Sequence, residues 1–446
     1  MSIVVEGSPR RVSAKNSTGR AGLLGLGWTS SAQFVGMFIK LGSNLILTRL
    51  LAPEVYGLFG TAMAIVTTLE WLSDLGVQPA LVRHPEGDRS DYLNTGWWMN
   101  LWRGLGLSAV MAALSQPLAT AYGQPGLAAV IAVLALKPFI YAFRSPGMPL
   151  LRRSLNYRAL FVDEVVQTVV ATAVSLALAW YTRSVWSIVG GTIAGSAVSS
   201  VLSYILCPIS PRWSWDRSAA DEISKFGRAV FLNTMVMAVW LNLDRLLGLR
   251  LVGDHEMGLY TVAWNLAAVV EGLMTRGCDV YFSMLSRFHD VDSRRRRHES
   301  ISNKVIFVGM PALAVGVIAS PFATSVLYDQ RYAGAGVLLG LMVARLMVRF
   351  LGQMQFQYLL ASAHIGVGTK AYLVAMLVQA SILIPLTNAL GVVGMACSSL
   401  ISTAVLTGFQ TWMLERRGVA SGRHFLWTSA IATSALIVLL YFRSAT

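Results

Sequence analysis

The sequence predicts an all-α membrane protein made of two pseudo-symmetric bundles of six helices around a central cavity. Only 13% of the 446 residues are charged, whereas 55% are hydrophobic and the mean hydropathy is +0.57. A soluble domain carries about twice that charged fraction. The apolar residues form blocks of roughly 20 to 27 residues, which suits a hydrocarbon core about 30 Å thick. In addition, one stretch of the chain recurs 201 residues later, which indicates two related halves.

The apolar blocks predict twelve membrane spans and leave room for a thirteenth. Long continuous runs are typical of helices rather than of the ten-residue alternation of a membrane β-barrel. Pro138 and Pro311 fall inside such runs and predict helix bends. A last apolar run over residues 425–442 is long enough for an extra C-terminal helix. The twelve predicted spans lie near residues 23–48, 57–82, 95–120, 126–148, 161–182, 185–207, 229–250, 258–286, 302–327, 335–361, 371–390 and 393–414.

These spans divide the chain into five predicted segments. Residues 1–22 form an N-terminal tail and residues 208–228 form a polar linker between the halves. Residues 23–207 and 229–415 form the two six-helix lobes. Residues 416–446 hold a basic connection and the possible thirteenth helix.

The net charge of +14 is concentrated in every second connection between spans. The N-terminal tail, the linker and the run Arg294–Arg297 after the eighth span are examples. By the positive-inside rule, the N-terminus and the even-numbered connections are cytoplasmic, in a multi-pass protein of a cytoplasmic membrane. The charge therefore follows the topology. We predict no nucleic-acid partner, because no basic, aromatic-interleaved domain is present.

An internal repeat aligns Leu45–Gln78 with Leu246–Asp279 without a gap. Shared glycines, an arginine and an intramembrane glutamate are more informative than the shared leucines. Each half holds an even number of spans, so both halves enter the membrane from the same side, as in a parallel repeat with a cleft between its halves. The identical pairs are Leu45/Leu246, Arg49/Arg250, Leu50/Leu251, Gly57/Gly258, Leu58/Leu259, Ala62/Ala263, Glu70/Glu271, Leu72/Leu273 and Gly76/Gly277.

The connections between spans favour a transporter over an enzyme. Every outward connection is short, and the longest cytoplasmic one, the linker 208–228, is too short for a nucleotide-sugar domain. The sequence contains no phosphate-binding loop of the pattern GxxxxGK[ST], so we expect no ATP hydrolysis by this chain. A membrane enzyme of glycan assembly remains the less favoured alternative.

The segment Leu47–Phe59 resembles the first external turn of the polysaccharide transporters, the Wzx-type oligosaccharide flippases of the MOP superfamily. Its counterpart in the second half, Asn242–Arg245 followed by Met257–Tyr260, is similar to the seventh and eighth spans of that family. Phe226–Arg228 fits the family's usual entry to the second half. The resemblance covers about residues 20–415.

The resemblance implies a function as well as the two-lobed fold. It implies movement of an undecaprenyl-pyrophosphate-linked oligosaccharide from the inner to the outer leaflet for surface polysaccharide synthesis, coupled to an H⁺ or Na⁺ gradient and without another cofactor. The implied partners are this lipid, membrane lipids and glycan-assembly proteins such as a polymerase. The alternative is a different cargo on the same fold, as in a multidrug–cation antiporter or a lipid II flippase. A thirteenth helix departs from a twelve-span pattern.

Charged side chains at mid-membrane are costly and usually face a cavity or a partner. Arginine and lysine are the side chains suited to holding a lipid pyrophosphate. An excess of cations also favours an anionic cargo over a cationic drug. The alternative is that each cation snorkels or pairs with an acid. We predict that five cations line the cavity and bind the head group, namely Lys40, Lys137, Arg276, Arg345 and Arg349.

Four acids, Glu70, Asp74, Glu271 and Asp279, are candidates for carrying a coupling ion or for balancing the cations. Glu70 and Asp74 are four residues apart, so we expect them on one face of the second span. The repeat places Glu271 at the depth of Glu70. Asp244 is expected to balance its neighbour Arg245. The histidines are scattered along the chain, so we predict no metal site.

Overall fold

The computed structural model describes residues 35–154, 156–285, 290–361, 366–416, 418–419 and 422–444. Every regular element within these segments is helical, and eight of these helices are long and apolar enough to cross a membrane. The α-helices are α1 (35–50), α2 (Pro53–Leu72), α3 (Val77–Arg83), α4 (Ser90–Tyr122), α5 (Pro125–Leu134), α6 (Leu136–Ala142), α7 (Met148–Arg153), α8 (Tyr157–Thr182), α9 (Val185–Leu206), α10 (Arg217–Leu285), α11 (Val291–Lys304), α12 (Met310–Leu327), α13 (Ala335–Ala361), α14 (Gly366–Glu415) and α15 (Gly422–Ser444).

The two longest helices each contain two membrane passes. Gly253 in α10 has φ 83° and Gly391 in α14 has φ 62°, values that glycine adopts without strain. Asp244 and Tyr260 lie 16 residues apart in α10, which is about 24 Å along a straight helix. Their side chains nevertheless share a hydrogen bond, so the two parts of α10 run side by side. Matched to the predicted spans, the described helices give six segments before the linker, six after it, and a further one in α15. Helices α1, α10 and α15 are not among the eight that are long and apolar enough to cross a membrane.

Three predicted spans are interrupted in the structure, one beside a side-chain hydrogen bond and two beside a proline. The second predicted span ends early, because α2 stops at Leu72 and the Asp74 carboxylate accepts the N–H of Gly76 at 2.9 Å. The fourth span breaks at Ala135, just before Pro138, whose ring clashes with the carbonyl four residues earlier. In the ninth, a π-helical turn precedes Pro311. An irregularity in the helix therefore lies beside each of the two prolines.

The two lobes meet through a reciprocal contact between the start of α2 and the second part of α10. A Cβ added to Gly57 would lie 2.1 Å from the carbonyl oxygen of Asp254, and one added to Gly258 would lie 1.9 Å from that of Pro53. Residues 53 and 254 are repeat equivalents, as are residues 57 and 258. Each half therefore offers the same surface to the other, which is the property of a two-fold interface. We call this the Gly57/Gly258 contact.

Polar side chains reinforce the Gly57/Gly258 contact. Glu54 Oε1 lies 2.8 Å from Nδ1 of His255, its own repeat equivalent. The Tyr332 hydroxyl donates to the carbonyl oxygen of Leu51 at 2.9 Å. The lobes are thus joined by both backbone approach and side chains at this end.

A second contact joins the lobes at the opposite end of α2. A Cβ added to Gly227 would lie 2.1 Å from the carbonyl oxygen of Leu75. Nearby, Glu222 Oε2 accepts from the Tyr92 hydroxyl at 2.7 Å and lies 2.9 Å from His84 Nε2. We call this the Leu75/Gly227 contact. Glu222 and Gly227 belong to α10, which starts at Arg217 inside the predicted linker and continues into the second lobe. The two lobes therefore touch at both ends of α2.

The thirteenth pass, α15, packs on the second lobe against α12 and α13. Thr428 and Ala432 are buried in this packing. The Phe425 ring lies next to Gly408, where an added Cβ would be 3.4 Å from Cζ, an ordinary contact distance. The extra C-terminal helix is thus an integral part of the second lobe.

Candidate functional site

A cavity of about 510 Å³ lies between the two lobes. Helices α1, α2, α8 and α9 contribute from the first lobe, and the second part of α10 contributes from the other. The lining mixes apolar side chains with polar and charged ones. It includes charged Lys40 and Glu164 together with uncharged Asn44, Thr172 and Asn265.

Of the five predicted cations, Lys40 lines this cavity. It lies on α1, its side chain is exposed, and it shares the lining with Glu164 of α8. Since α1 and α8 belong to the first lobe, this charged end of the cavity is formed by one lobe.

Two other predicted cations are held in ion pairs. Lys137 Nζ on α6 lies 3.0 and 2.9 Å from the two carboxylate oxygens of Glu70. Arg349 Nη1 on α13 lies 2.5 Å from Glu271 Oε1. The two glutamates are repeat equivalents, and each pairs with a cation from the fourth pass of its own lobe. The four side chains are only 17–23% exposed, so the pairs are largely shielded from water.

Arg345 forms a second kind of cluster, with Arg245 and Trp264. The two guanidinium carbons lie 4.5 and 5.1 Å from the centre of the Trp264 ring, within range of cation–π attraction. An Nη of Arg245 donates to the carbonyl oxygen of Gly60 in the other lobe at 3.0 Å. The Nε atoms of both arginines are buried and make no hydrogen bond within the described parts of the chain. Two buried N–H donors are therefore available at the lobe interface.

The remaining predicted site residues are Arg276, Asp74 and Asp279. Arg276 lies partly buried in the second part of α10. Asp74 follows the end of α2, so the expectation that it shares a helix face with Glu70 is wrong. Asp279 belongs to α10, but its side chain falls outside what the structure describes.

Asp244 is the acid whose surroundings sequence analysis missed. It is completely buried, and its carboxylate accepts hydrogen bonds from the hydroxyls of Tyr260 and Ser399, the latter at 2.6 Å. Arg245 contributes only its backbone N–H, at 2.8 Å. Asp244 and Tyr260 both fall within the family-like segments, but no spacing in the sequence indicated that they meet.

The polar network continues from Asp244 through the second lobe. Gln379 Nε2 donates to the Ser399 hydroxyl at 3.2 Å, and the Ser402 hydroxyl donates to Gln379 Oε1 at 3.1 Å. The Trp240 indole donates in turn to Ser402 at 3.1 Å. All of these side chains are buried. The network links both parts of α10 with both parts of α14.

Two solved structures of low sequence identity share this fold. The lipid II flippase MurJ in an inward closed conformation superposes with a TM-score of 0.75 at 12% identity, covering 94% of this chain and 93% of that one. A multidrug resistance MATE family transporter of the MOP superfamily, in an inward-facing conformation, gives 0.70 at 14%, with 90% and 95% covered. These likenesses confirm the predicted MOP-type architecture.

Two similar sequences come from bacteria. The succinoglycan biosynthesis transport protein ExoT of Rhizobium meliloti (strain 1021) is 22% identical over 320 residues, or 71% of this chain. The alignment spans 64% of ExoT, slightly less than two thirds of its length. The lipopolysaccharide biosynthesis protein WzxC of Escherichia coli (strain K12) is 20% identical over 353 residues, covering 78% of this chain and 71% of WzxC.

A family model described as "Polysaccharide biosynthesis protein" matches residues 46–337. The matched region contains both reciprocal glycines, the paired glutamates, Asp244 and most of the cavity lining. It covers well over half of the 446 residues. The chain therefore belongs to this polysaccharide biosynthesis protein family.

Proposed function

We propose that the protein is a flippase for an undecaprenyl-pyrophosphate-linked oligosaccharide. It moves this lipid from the cytoplasmic to the outer leaflet of the bacterial cytoplasmic membrane, for synthesis of a surface polysaccharide. The observation that carries the proposal is the cavity of about 510 Å³ between the lobes, which presents charged and polar side chains among its apolar ones. A hydrophilic head group needs such a path, because the surrounding hydrocarbon cannot solvate it. The protein changes no covalent bond in this proposal and is not an enzyme.

We propose that the two lobe contacts open in turn, in a mechanism of alternating access. Opening the Leu75/Gly227 contact admits the head group from the cytoplasmic leaflet, whereas opening the Gly57/Gly258 contact releases it to the other side. Rigid lobes that rock about a shared site are the expected motion of a parallel repeat. The N-terminus is cytoplasmic in this scheme, in accord with the positive-inside rule.

Lys40 is best placed to receive the pyrophosphate first, because it already lines the cavity. Arg245 and Arg345 are not part of that lining, and their buried Nε–H donors reach a phosphate only after the lobes move apart. Lys137 and Arg349 bind a phosphate only if they release their paired glutamates, Glu70 and Glu271 respectively. Guanidinium and ammonium groups favour phosphate oxygens strongly enough for such an exchange. Arg276 stays a predicted ligand of the same head group.

We propose that an H⁺ or Na⁺ gradient drives the cycle through Asp244. Its oxygen-rich surroundings, from Tyr260, Ser399 and Gln379, suit either ion. Glu70 and Glu271 serve as counter-charges to their cations instead. The flipped lipid then passes to glycan-assembly partners such as a polymerase.

Reconstituted vesicles test the proposed function directly. Protein in liposomes should move fluorescent undecaprenyl-pyrophosphate-linked oligosaccharide between leaflets, measured as loss of protection from an impermeant quencher. The K40A variant should fold, because Lys40 is exposed, but move it at least tenfold more slowly, since the cation that lines the cavity is gone. Vesicles that transport a cationic drug or lipid II, but not this lipid, would instead establish one of the alternative cargoes.

A further inference from the structure

Helix α11 presents basic side chains on the surface of the second lobe. One face of the helix is docked on that lobe through His298 and Ser302, which are both completely buried. His298 Nδ1 shares a hydrogen bond with the Tyr281 hydroxyl of α10. This docking sets the rotation of α11. Arg297 and Lys304, which are seven residues apart, therefore lie together on its exposed side.

The exposed side of α11 leads directly into apolar surface. The helix continues into α12 through the π-helical turn over residues 305–309, where Phe307 and Val308 are 67% and 73% exposed. Apolar side chains this exposed on a membrane protein favour contact with lipid. Lys304 precedes Val308 by four residues, or about 6 Å along the helix. That distance matches the head-group layer, which is about 5–7 Å thick on each side of the hydrocarbon core.

The start of α15 has the same arrangement and lies beside the end of α11. His424 Nε2 is 2.8 Å from Asn303 Oδ1, which brings the first turn of α15 next to that end. Arg423 is exposed, and Leu426 and Trp427, one turn further along α15, are 67% and 57% exposed. Tryptophan is typical of the boundary between head groups and hydrocarbon. Two neighbouring helices thus each carry a cation about one turn before exposed apolar side chains.

These cations are not neutralised by acids in the part of the chain that the structure describes. Glu299, the acid on the same stretch of α11, is paired with Arg295 at 3.1 Å. Arg297, Lys304 and Arg423 make no ion pair with a described residue. Cations at this depth attract the anionic head groups of the cytoplasmic leaflet.

We propose that Arg297, Lys304 and Arg423 form a binding site for an anionic phospholipid of the cytoplasmic leaflet. The phosphate of this lipid lies between Lys304 and Arg423, and its acyl chains pack on Phe307 and Trp427. The site is separate from the cavity between the lobes, whose described lining includes no residue of α11, α12 or α15. The lipid is therefore a component of the second lobe rather than a cargo, and it bridges α15 to α11.

Binding measurements on the purified full-length protein test this site. Native mass spectrometry in detergent would compare dioleoylphosphatidylglycerol with dioleoylphosphatidylcholine, which has the same acyl chains but no net charge. The wild-type protein should bind the phosphatidylglycerol more tightly. K304Q/R423Q should weaken that binding about twenty-five-fold, at about fivefold for each cation removed, and leave phosphatidylcholine binding unchanged. K304R/R423K, which keeps both charges, should bind phosphatidylglycerol as wild type does.

R217Q/K225Q is the matched control, because it removes two exposed cations of α10 on the same, cytoplasmic side. It should keep the full affinity for phosphatidylglycerol. Both double glutamine variants should melt at the wild-type temperature in lipid-free detergent, since all four side chains are exposed. Equal wild-type affinity for the two lipids, or undiminished phosphatidylglycerol binding by K304Q/R423Q, would overturn the site. An equal loss in R217Q/K225Q would also overturn it, because net charge alone would then explain the binding.

Discussion

At the scale of single residues, the paired glutamates separate what sequence can predict from what it cannot. The repeat correctly placed Glu70 and Glu271 at equivalent positions. It could not supply their partners, because Lys137 and Arg349 are not repeat equivalents and reach the glutamates only through the packing of the fourth pass of each lobe. Asp244 was missed for the same reason, since Ser399 lies 155 residues away.

The Glu70–Lys137 pair should show a measurable coupling energy. We expect E70Q and K137M each to lower the free energy of unfolding, and the double variant to lower it by less than their sum. A coupling of about 0.5–3 kcal/mol is typical of residues in direct contact. Thermal unfolding in detergent would measure it, with the exposed pair Arg89/Glu86 as a control of near-zero coupling. Additive effects would show that the pair contributes no interaction energy.

Asp244 should control the response of transport to an ion gradient. We expect D244N to fold, because asparagine keeps an oxygen for the Tyr260 and Ser399 hydroxyls, but to lose the charge that a bound cation needs. Transport in vesicles should then be the same with and without H⁺ and Na⁺ gradients. D221N, at an exposed acid, is the control. A D244N protein that still responds to a gradient would remove Asp244 from the coupling step.

At the scale of helices, the repeat and the hydropathy predicted the passes, whereas the interruptions depend on short-range chemistry. The turn at Gly253 corresponds to Ala52, which precedes α2, so the repeat itself pointed to it. The early end of α2 depends on one side-chain hydrogen bond from Gly76 to Asp74, which hydropathy does not register. Hydropathy reports burial in lipid, not where a backbone stops being helical.

The Gly57/Gly258 contact should tolerate no added side chain. In G258A the new Cβ would overlap the Pro53 carbonyl oxygen, so the two helices must separate, at a typical overpacking cost of about 1–3 kcal/mol. The reporter is N265C, in a background with the native cysteines replaced by serine. We expect its cysteine to react faster with an impermeant maleimide when G258A is also present. G106A is the control, because nothing lies within 4 Å of its added Cβ. Unchanged labelling would mean that this contact does not restrict entry to the cavity.

At the scale of the whole molecule, composition and symmetry were sufficient to predict two six-helix lobes around a cavity. They could not predict that the lobes touch at both ends. That arrangement is a balance between two sets of inter-lobe contacts, and each set is formed by side chains distant in sequence, such as His84 and Glu222. The pattern of apolar residues in the sequence is the same in every state of a transport cycle, so it does not show which contacts between the lobes are closed.

Locking either end should arrest transport. We expect E54C/H255C and H84C/E222C each to lose transport when joined by a short thiol-specific cross-linker, because each cycle must open both ends in turn. The single-cysteine variants, treated in the same way, should keep their activity. Transport by vesicles in which one cross-link is complete would contradict alternating access.

If α15 crosses the membrane, the C-terminus lies on the side opposite to the end of α14. We expect a fluorescent protein fused after residue 416 to be bright, because that position follows the twelfth pass on the cytoplasmic side. Alkaline phosphatase fused after residue 444 should be active, because α15 carries the chain across once more. The reverse pattern would place the N-terminus on the outside and invert the proposed direction of transport.

The reciprocity of the Gly57/Gly258 contact bears on how such a protein could arise. Glycine stands at both equivalent positions and approaches a backbone carbonyl of the opposite half in each case. Two copies of a single half would thus form the same pair of contacts without any new surface. Gene duplication followed by fusion would preserve this ancestral dimer interface, while the rest of each half diverged into separate tasks.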